Sequence, residues 1–380
     1  MRIEASAPGK LVLVGEYAVL EGAPALVLAV DRRVRVLLEG SHADECRIEA
    51  PDVGVSGAHW QLDGDGCVRW SDLDGTDAER LRLITTVIEM QCAGTAPAPF
   101  DATVDTRAFF LDDSRLKLGL GSSAALTVAL TAAICAHQGR EQPSAQRMIA
   151  IHRTFQDGRG SGVDVAASLR GGAITYRLHS SAPRIAPLTW PASLHWCCIW
   201  SGRSADTSAL LRHMAVWRAG APASYGLLLR DLRLCAEAAT MAIESGNAAA
   251  LLETISLYAE GLRKLGEASG VDIFSLEHRA LSACAAACGV VYKPCGAGGG
   301  DIGIALSNDP LRLREFRRRV AREGFREIEL KLDAQGLRVH AHGDSEHGRL
   351  EHSAVTAPSQ PLAPAGVLQT VGGRARAMGA

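Results

Sequence analysis

Short apolar runs separated by polar residues dominate the first part of the chain and predict β-strands. Runs rich in Val and Leu at residues 11–14, 25–30 and 33–38 are separated by Gly, Pro and Asp. Residues 42–77 are polar and rich in turn residues, which predicts short strands joined by long loops. Helical periodicity begins at residues 78–93. The other elements expected in this part are a strand at 102–104 and helices at 126–137 and near 144–155.

The second part of the chain has a long helical series flanked by strands. The pattern returns to strands at residues 188–200. Helices are then expected at 207–219, 225–245, 247–269, 273–288 and 310–323, and strands at 290–293, 302–306, 327–332 and 337–340. This order predicts an α+β fold with two domains, 1–190 and 191–343. Residues 344–380 are rich in Ala, Pro, Gly and Ser and are expected to form a disordered tail.

Composition indicates an ordinary globular protein. Hydrophobic residues make up 47% of the 380 residues and the formal net charge is −2, so nothing in the overall charge points to nucleic acid. No uninterrupted apolar run reaches the roughly 18 residues of a membrane span. Residues 1–10 lack the pattern of a secretory signal. We therefore expect a cytoplasmic protein, either a monomer or a homodimer, that binds neither nucleic acid nor membrane.

Cysteines and clustered arginines are interpreted as structural. The ten cysteines are scattered without a CxxC pair, which predicts reduced thiols and no zinc site. Six arginines lie between residues 312 and 322, where an RNA-binding face is one interpretation. Leu311, Leu313, Phe316 and Val320 recur at helical spacing among them, so the arginines are expected on the solvated face of an amphipathic helix.

A glycine- and serine-rich stretch, KLGLGSSAA at residues 117–125, is the first candidate for chemistry, and we call it the glycine–serine loop. It leads directly into a predicted helix. Backbone N–H groups at a helix N-terminus bind anions, and adjacent hydroxyls can hold a phosphate or its magnesium ion. An ordinary helix cap would use the same residue types. The candidate phosphate-binding residues are Lys117, Gly119, Leu120, Gly121, Ser122, Ser123 and Ala124.

Two further glycine-containing turns and one carboxylate accompany this loop. APGK at residues 7–10 contributes Lys10, and GAGGGD at 296–301 supplies flexible backbone that can approach a ligand closely. GRGSGVD at residues 158–164 ends in Asp164, which can accept a proton from a phosphoryl acceptor. A helix N-cap is the alternative interpretation of Asp164. The chain contains neither a Walker A string nor the motif set of protein kinases.

Together these strings resemble the three ordered motifs of the GHMP kinase superfamily, which includes galactokinases, homoserine kinases, mevalonate kinases and phosphomevalonate kinases. The matching segments are APGKLVLVGEY at 7–17, KLGLGSSAA at 117–125 and KPCGAGGGD at 293–301. The resemblance runs from about residue 5 to 340. It implies a ribosomal-S5-like N-terminal domain and a ferredoxin-like C-terminal domain, with the active site between them.

Within the superfamily, the phosphomevalonate kinases are the most similar. QDGRGSGVDVAAS at residues 156–168, WSGRSADT at 200–207 and the Lys-Pro pair at 293–294 carry this resemblance. It implies phosphorylation of (R)-5-phosphomevalonate to (R)-5-diphosphomevalonate by ATP and Mg²⁺, in the mevalonate pathway of isoprenoid synthesis. A mevalonate kinase, acting on the unphosphorylated alcohol, is one alternative. A catalytically silent ligand-binding protein on the same fold is another.

The resemblance also assigns roles to residues. Asp164 would be the catalytic carboxylate, Lys10 would stabilise charge at the reacting phosphate, and Ser122 and Ser123 would touch the β-phosphate or magnesium. Cys295 stands where phosphomevalonate kinases usually carry Ser, and its thiol is a weaker hydrogen-bonding group. The expected substrate-binding residues are Lys10, Glu16, Tyr17, Arg159, Ser161, Gly162, Arg203, Gly296, Ala297, Gly298 and Gly299. Further candidate cations for the acceptor phosphate are Lys117 and Arg153.

Overall fold

The computed structural model describes residues 1–41, 46–92, 98–112, 116–179 and 182–342. Residues 344–380, for which a disordered tail is expected, lie outside the described residues. The domain boundary near residue 190 stays a prediction.

The strands of the described residues form two sheets. In chain order they are β1 (Arg2–Val14), β2 (Pro24–Gly40), β3 (Cys46–Ala50), β4 (Val55–Leu62), β5 (Val68–Trp70), β6 (Phe100–Asp105), β7 (Ala173–Arg177), β8 (Arg184–Leu188), β9 (His195–Trp200), β10 (Val291–Pro294), β11 (Ile302–Ser307), β12 (Arg326–Ile328) and β13 (Arg338–His342). The larger sheet has the order β13-β1-β2-β6-β3-β4-β5, and β7 pairs with both β2 and β8. The smaller sheet has the order β10-β11-β9-β12. Of these pairings, β3 with β6 is parallel and the others are antiparallel.

Helices cover these sheets and position the segments between them. They are α1 (Gly75–Arg80), α2 (Arg82–Cys92), α3 (Ser122–His137), α4 (Ala145–Phe155), α5 (Val163–Arg170), α6 (Thr207–Gly220), α7 (Pro222–Glu244), α8 (Ala248–Ser269), α9 (Leu276–Ala287) and α10 (Pro310–Arg322). Helix α3 is buried all around, from Ala124 to Cys135. It packs against β1, β2 and three helices. Its first turn is therefore held rigidly, and that turn belongs to the candidate phosphate site.

Strand β2 is one continuous strand where the apolar pattern predicted two. The polar residues between the two predicted runs are Asp31 and Arg32, and Asp31 is bonded at both its backbone and its side chain: its N–H donates to the carbonyl oxygen of Lys331 at 3.0 Å, and its Oδ1 accepts the N–H of Lys331 at 2.9 Å. Arg33, the residue that follows, is bonded on several sides. Its guanidinium donates to the carbonyl oxygens of Ser6 and Gly336, at 2.7 and 2.6 Å, and pairs with Asp333. Strand β1 pairs with β2 from Arg2 opposite Glu39 to Val14 opposite Leu26.

Three predicted boundaries of the second part are corrected. The helix expected from residue 273 begins at Leu276, because the hydroxyl of Ser275 accepts the N–H of His278 at 3.4 Å and caps it. The strand expected at 327–332 is the shorter β12. The strand expected at 337–340 corresponds to β13, which pairs with β1 of the larger sheet.

The amphipathic helix predicted at 310–323 is confirmed as α10, with one exception. Leu313, Phe316 and Val320 are buried. Leu311 is 71% exposed, so its assignment to the apolar stripe was wrong. It lies in the first turn after Pro310, on the solvent side of the helix.

All ten cysteines are free thiols, which confirms the prediction of reduced cysteines. No cluster of three or more His, Cys, Asp or Glu side chains suited to a metal occurs in the described part of the chain. Among its helices, none is long and apolar enough to cross a membrane.

Candidate active site

Two cavities meet at the glycine–serine loop. A cleft of about 640 Å³ is lined by β1 and the residues after it, by Gly119 of the loop, by the turn before α5, by α6 and by residues 295–297. A smaller cavity of about 190 Å³ is lined by Lys117, Ser122 and Ser123 of the same loop and by apolar side chains of α2, α3 and α4. Charged side chains also line it, namely those of Asp52, Glu79, Arg80 and Arg82. The loop therefore has one face toward each cavity.

Lys10 enters the cleft from β1. The segment APGK, expected to be a turn, lies inside this strand, where the pairing register shifts between Pro8 and Gly9. Gly9 allows close approach of the glycine–serine loop, because a Cβ there would lie 2.9 Å from the carbonyl oxygen of Leu120. The N–H of Lys10 donates to that oxygen at 2.9 Å, and its Nζ donates to the carbonyl oxygen of Gly119 at 3.4 Å. Lys10 is thus held against the loop at both its backbone and its side chain.

Asp164 and Lys10 come together at Gly121. Gly121 is the N-cap of α3 and has a φ of +78°. A Cβ at Gly121 would lie 3.2 Å from Cε of Lys10 and 3.8 Å from Cβ of Asp164. Asp164 lies in the first turn of α5, whose N-cap is Gly162, so the interpretation of Asp164 as an N-cap is wrong. The side chains of Lys10 and Asp164 both line the cleft.

The turn that delivers Asp164 is anchored from outside. Arg153 donates to the carbonyl oxygens of Gly160 and Ser161, each at 3.0 Å. The hydroxyl of Tyr176 also donates to the carbonyl oxygen of Ser161, at 2.5 Å. Ser161 lines the cleft, whereas Gly162 takes a φ of +85° behind it. Arg153 therefore shapes this turn as well as lining the cleft.

The two serines of the loop lie at the smaller cavity. Helix α3 begins at Ser122, so its first backbone N–H groups, which have no partner within the helix, lie at this point. Lys117 is exposed at the same cavity. Leu120 and Ala124 are buried and fix the loop against the core. The structure therefore brings Lys117, Ser122 and Ser123 to one cavity, and their role in binding phosphate stays a prediction.

In the glycine turn at 296–301, some residues line the cleft and others pack against neighbouring segments. Gly296 and Ala297 line the cleft. Gly298 and Gly299 instead pack against other segments, because a Cβ at Gly298 would lie 2.3 Å from the carbonyl oxygen of Ile273 and one at Gly299 would lie 2.9 Å from a methyl group of Leu210. Gly296 and Ala297 therefore lie at the cleft, whereas Gly298 and Gly299 are packed away from it.

Glu16 and Tyr17 join the end of β1 to this glycine turn. The buried carboxylate of Glu16 accepts from Nζ of Lys293 at 2.5 Å and from the N–H of Gly296 at 3.3 Å. Its other oxygen, Oε2, has no hydrogen-bond partner within the described residues. The hydroxyl of Tyr17 donates to the carbonyl oxygen of Ala297 at 2.6 Å, and burial raises the pKa of this hydroxyl well above its ordinary value. Both residues line the cleft.

The predicted arginines differ in position. Arg159 is exposed and lines the cleft, and its guanidinium makes no ion pair with any described residue. Arg203 is half-exposed and lies 4.0 Å from the carboxylates of both Asp272 and Glu277. Its side chain is not among those that line the cleft.

Two charged residues of the cleft, Arg218 and Asp301, are absent from the predicted site residues. Arg218 of α6 lines it and pairs with Glu21 at 2.8 Å. Asp301 has a φ of +59°, and its Oδ1 accepts the N–H of Ala205 at 3.0 Å. Burial raises the pKa of Asp301 above its ordinary value. Asp301 could have been found as the last residue of the third motif, whereas no sequence signal marks Arg218.

Cys295 lines the cleft beside the glycine turn. Burial raises the pKa of its thiol to about 11. The thiol is therefore protonated at neutral pH and presents a weak hydrogen-bonding group to the cleft.

Comparison with known proteins agrees with this geometry. Residues 82–172 match the family model described as the GHMP kinases N terminal domain. A phosphomevalonate kinase of Streptomyces sp. (strain CL190) is 34% identical over 79% of this chain and 88% of its own. A mevalonate kinase of Thermococcus onnurineus is 32% identical over 46% of this chain and 52% of its own.

Solved structures share the fold. The phosphomevalonate kinase of Streptococcus pneumoniae in complex with phosphomevalonate and AMPPNP superposes with a TM-score of 0.71 at 20% identity, over 87% of this chain and 99% of its own. The Lin0012 protein of Listeria innocua gives a TM-score of 0.79 at 23% identity, over 90% of this chain and 100% of its own. The chain therefore belongs to the GHMP kinases and, within that superfamily, to the phosphomevalonate kinase family.

Proposed function

We propose that this protein transfers the γ-phosphoryl group of ATP to the phosphate of (R)-5-phosphomevalonate, with Mg²⁺, to form (R)-5-diphosphomevalonate in the mevalonate pathway. The observation that carries the proposal is the meeting of Lys10 and Asp164 at Gly121, which is also the N-terminus of α3. A cation, a carboxylate and the N–H groups of a helix N-terminus, which have no partner within the helix, are thereby gathered where a phosphoryl group could pass between the two cavities.

ATP belongs at the glycine–serine loop. The N–H groups at the start of α3, which have no partner within the helix, attract phosphate oxygens, and Lys117 adds a positive charge at the smaller cavity. The apolar side chains of the same cavity, among them Leu83, Leu126 and Phe155, suit the faces of a nucleobase.

The described residues fit magnesium bound mainly by ATP. Mg²⁺ keeps several waters and is usually held by one or two protein oxygens together with substrate phosphates. Ser122 and Ser123 provide hydroxyl oxygens beside the proposed phosphate position, and Asp164 provides the nearby carboxylate. The ion would neutralise charge on the transferring phosphoryl group.

The acceptor belongs in the larger cleft, which carries several cations. Lys10, Arg153, Arg159 and Arg218 all line it. Phosphomevalonate carries a carboxylate and a phosphate, so it needs more positive charge than mevalonate. In the proposed step an oxygen of the acceptor phosphate attacks the γ-phosphorus, the bond to the β-phosphate oxygen breaks, and ADP leaves with that electron pair. Asp164 takes any proton that the acceptor phosphate still carries.

A cytoplasmic location is also part of the proposal. Ten free thiols are typical of a reducing compartment.

The direct test is steady-state ADP release from the full chain with ATP and Mg²⁺, comparing 5-phosphomevalonate with mevalonate. We expect turnover with phosphomevalonate and little with mevalonate. Asp164→Asn should retain ATP binding and lower turnover by roughly a hundredfold or more. Turnover of mevalonate alone would make the protein a mevalonate kinase, and turnover of neither would support a ligand-binding role.

A further inference from the structure

His152 connects two residues of the proposed site and belongs to none of the three motifs. It lies in the last turn of α4 and is 1% exposed. Its Nε2 lies 3.1 Å from Oγ of Ser123, which is hydrogen-bond distance. Its Nδ1 lies 4.0 Å from Oδ1 of Asp164. One imidazole ring therefore stands between the proposed phosphate site and the proposed catalytic carboxylate.

The charge of Asp164 decides which ring nitrogen should carry the proton. If Nε2 carried it, the lone pair of Nδ1 would face the carboxylate, and the two would repel. If Nδ1 carries it, the N–H dipole points toward the carboxylate and the lone pair of Nε2 faces Ser123. The hydroxyl of Ser123 then donates its proton to Nε2. Both oxygen lone pairs of Ser123 are left for a cation or another donor.

We propose that His152 is a positioning residue, with its ring proton on Nδ1, which turns the oxygen lone pairs of Ser123 toward the magnesium–nucleotide complex and supports the carboxylate of Asp164 from behind. This inference rests on the proposed function, because it takes Ser123 as a ligand of that complex and Asp164 as the catalytic carboxylate. Groups that orient a metal ligand from behind commonly alter metal affinity by roughly 10- to 100-fold when they are removed.

Two substitutions separate the two contacts of His152. In His152→Gln, the side-chain amide occupies about the position of Nε2 and can still accept from Ser123. In His152→Asn, the amide occupies about the position of Nδ1 and can still donate toward Asp164. A residue that served merely to fill the core would respond to volume and would show no such division of effects.

The experiment uses the full chain and three measurements. Long-range ¹H–¹⁵N correlation spectra of the wild type, assigned by the signals missing from His152→Gln, report the protonated ring nitrogen. Calorimetry with AMPPNP, with and without Mg²⁺, reports nucleotide binding independently of turnover. Steady-state kinetics give kcat and KM for ATP, and thermal melts identify variants that fail to fold.

The proposal expects a proton on Nδ1 alone. His152→Asn should weaken magnesium-dependent AMPPNP binding about tenfold, whereas His152→Gln should keep that affinity and lower kcat. A proton on Nε2 would overturn the proposal, as would equal effects of both variants on affinity and kcat. Either His152 variant can provide the assignment of the wild-type signals, so the tautomer decides the question even where the other variant does not fold. A wild type that turns over neither acceptor, but shows the Nδ1 tautomer and the divided nucleotide binding, would remove the proposed function and keep the role of His152 toward Ser123.

Discussion

Replacing Gly121 by alanine puts a methyl group at the point where Lys10 and Asp164 meet. The backbone there has a φ of +78°, and a left-handed conformation costs an alanine roughly 1–2 kcal/mol. The new Cβ would also lie 3.2 Å from Cε and 3.3 Å from Cγ of Lys10. Carbon atoms normally pack at about 3.5–4.0 Å, so the Lys10 side chain must move by a few tenths of an ångström.

Gly139, at the other end of α3, provides the matched control. Its φ is +63°, and a Cβ there would meet nothing within 4 Å. Gly121→Ala and Gly139→Ala should therefore lose similar unfolding free energy, roughly 1–2 kcal/mol each, in urea titrations. Their activities should differ, because a misplacement of 1 Å at a reacting centre can cost about a hundredfold. We expect kcat/KM to fall about tenfold in Gly121→Ala and to stay near wild type in Gly139→Ala. Equal activities would refute the placement of Lys10 against the glycine–serine loop.

Three further predictions concern buried charges and thiols. Lys293→Met leaves Glu16 buried without its cation, so the unfolding free energy from denaturant titrations should fall by about 3–5 kcal/mol. Adding Glu16→Gln should restore most of that stability. A fall of under about 1 kcal/mol in Lys293→Met would contradict this prediction. Burial raises the pKa of Asp301, so the folded state favours its protonated form. Asp301→Asn should therefore be more stable than the wild type at neutral pH. This difference in stability should shrink as the pH falls through the raised pKa. A gain independent of pH between 4 and 7 would argue against that shift. Burial raises the pKa of Cys295 to about 11, so its thiol should react with iodoacetamide at pH 8 much more slowly than that of the exposed Cys67. Mass spectrometry would follow both reactions, and equal rates would exclude the burial of Cys295.

Local sequence signals were sufficient for the parts of the site that lie in one segment. The sequence of the glycine–serine loop predicts a turn that leads into a helix, and α3 does begin at Ser122, within that loop. The amphipathic pattern of α10 likewise predicted its buried face. Both features depend on residues close to each other in the chain.

Features that depend on tertiary contacts were not predictable in this way. The Pro and Gly of APGK predict a turn. The segment nevertheless lies in strand β1, because it pairs with β2 and contacts Leu120. β2 continues through the polar residues Asp31 and Arg32 because Asp31 bonds to Lys331, 300 residues later in the chain. Arg218 and His152 carry no motif, and their relation to the site arises from the packing of α6 and α4.

The ³¹P NMR spectrum of the product tests most directly whether the phosphoryl acceptor is itself a phosphate. The full chain would be incubated with ATP, Mg²⁺ and either 5-phosphomevalonate or mevalonate, and the ATP and ADP signals would be identified from spectra of the pure nucleotides. With phosphomevalonate we predict loss of the phosphomonoester signal and growth of two mutually coupled diphosphate signals. A new phosphomonoester signal from mevalonate, with phosphomevalonate left unchanged, would contradict the account.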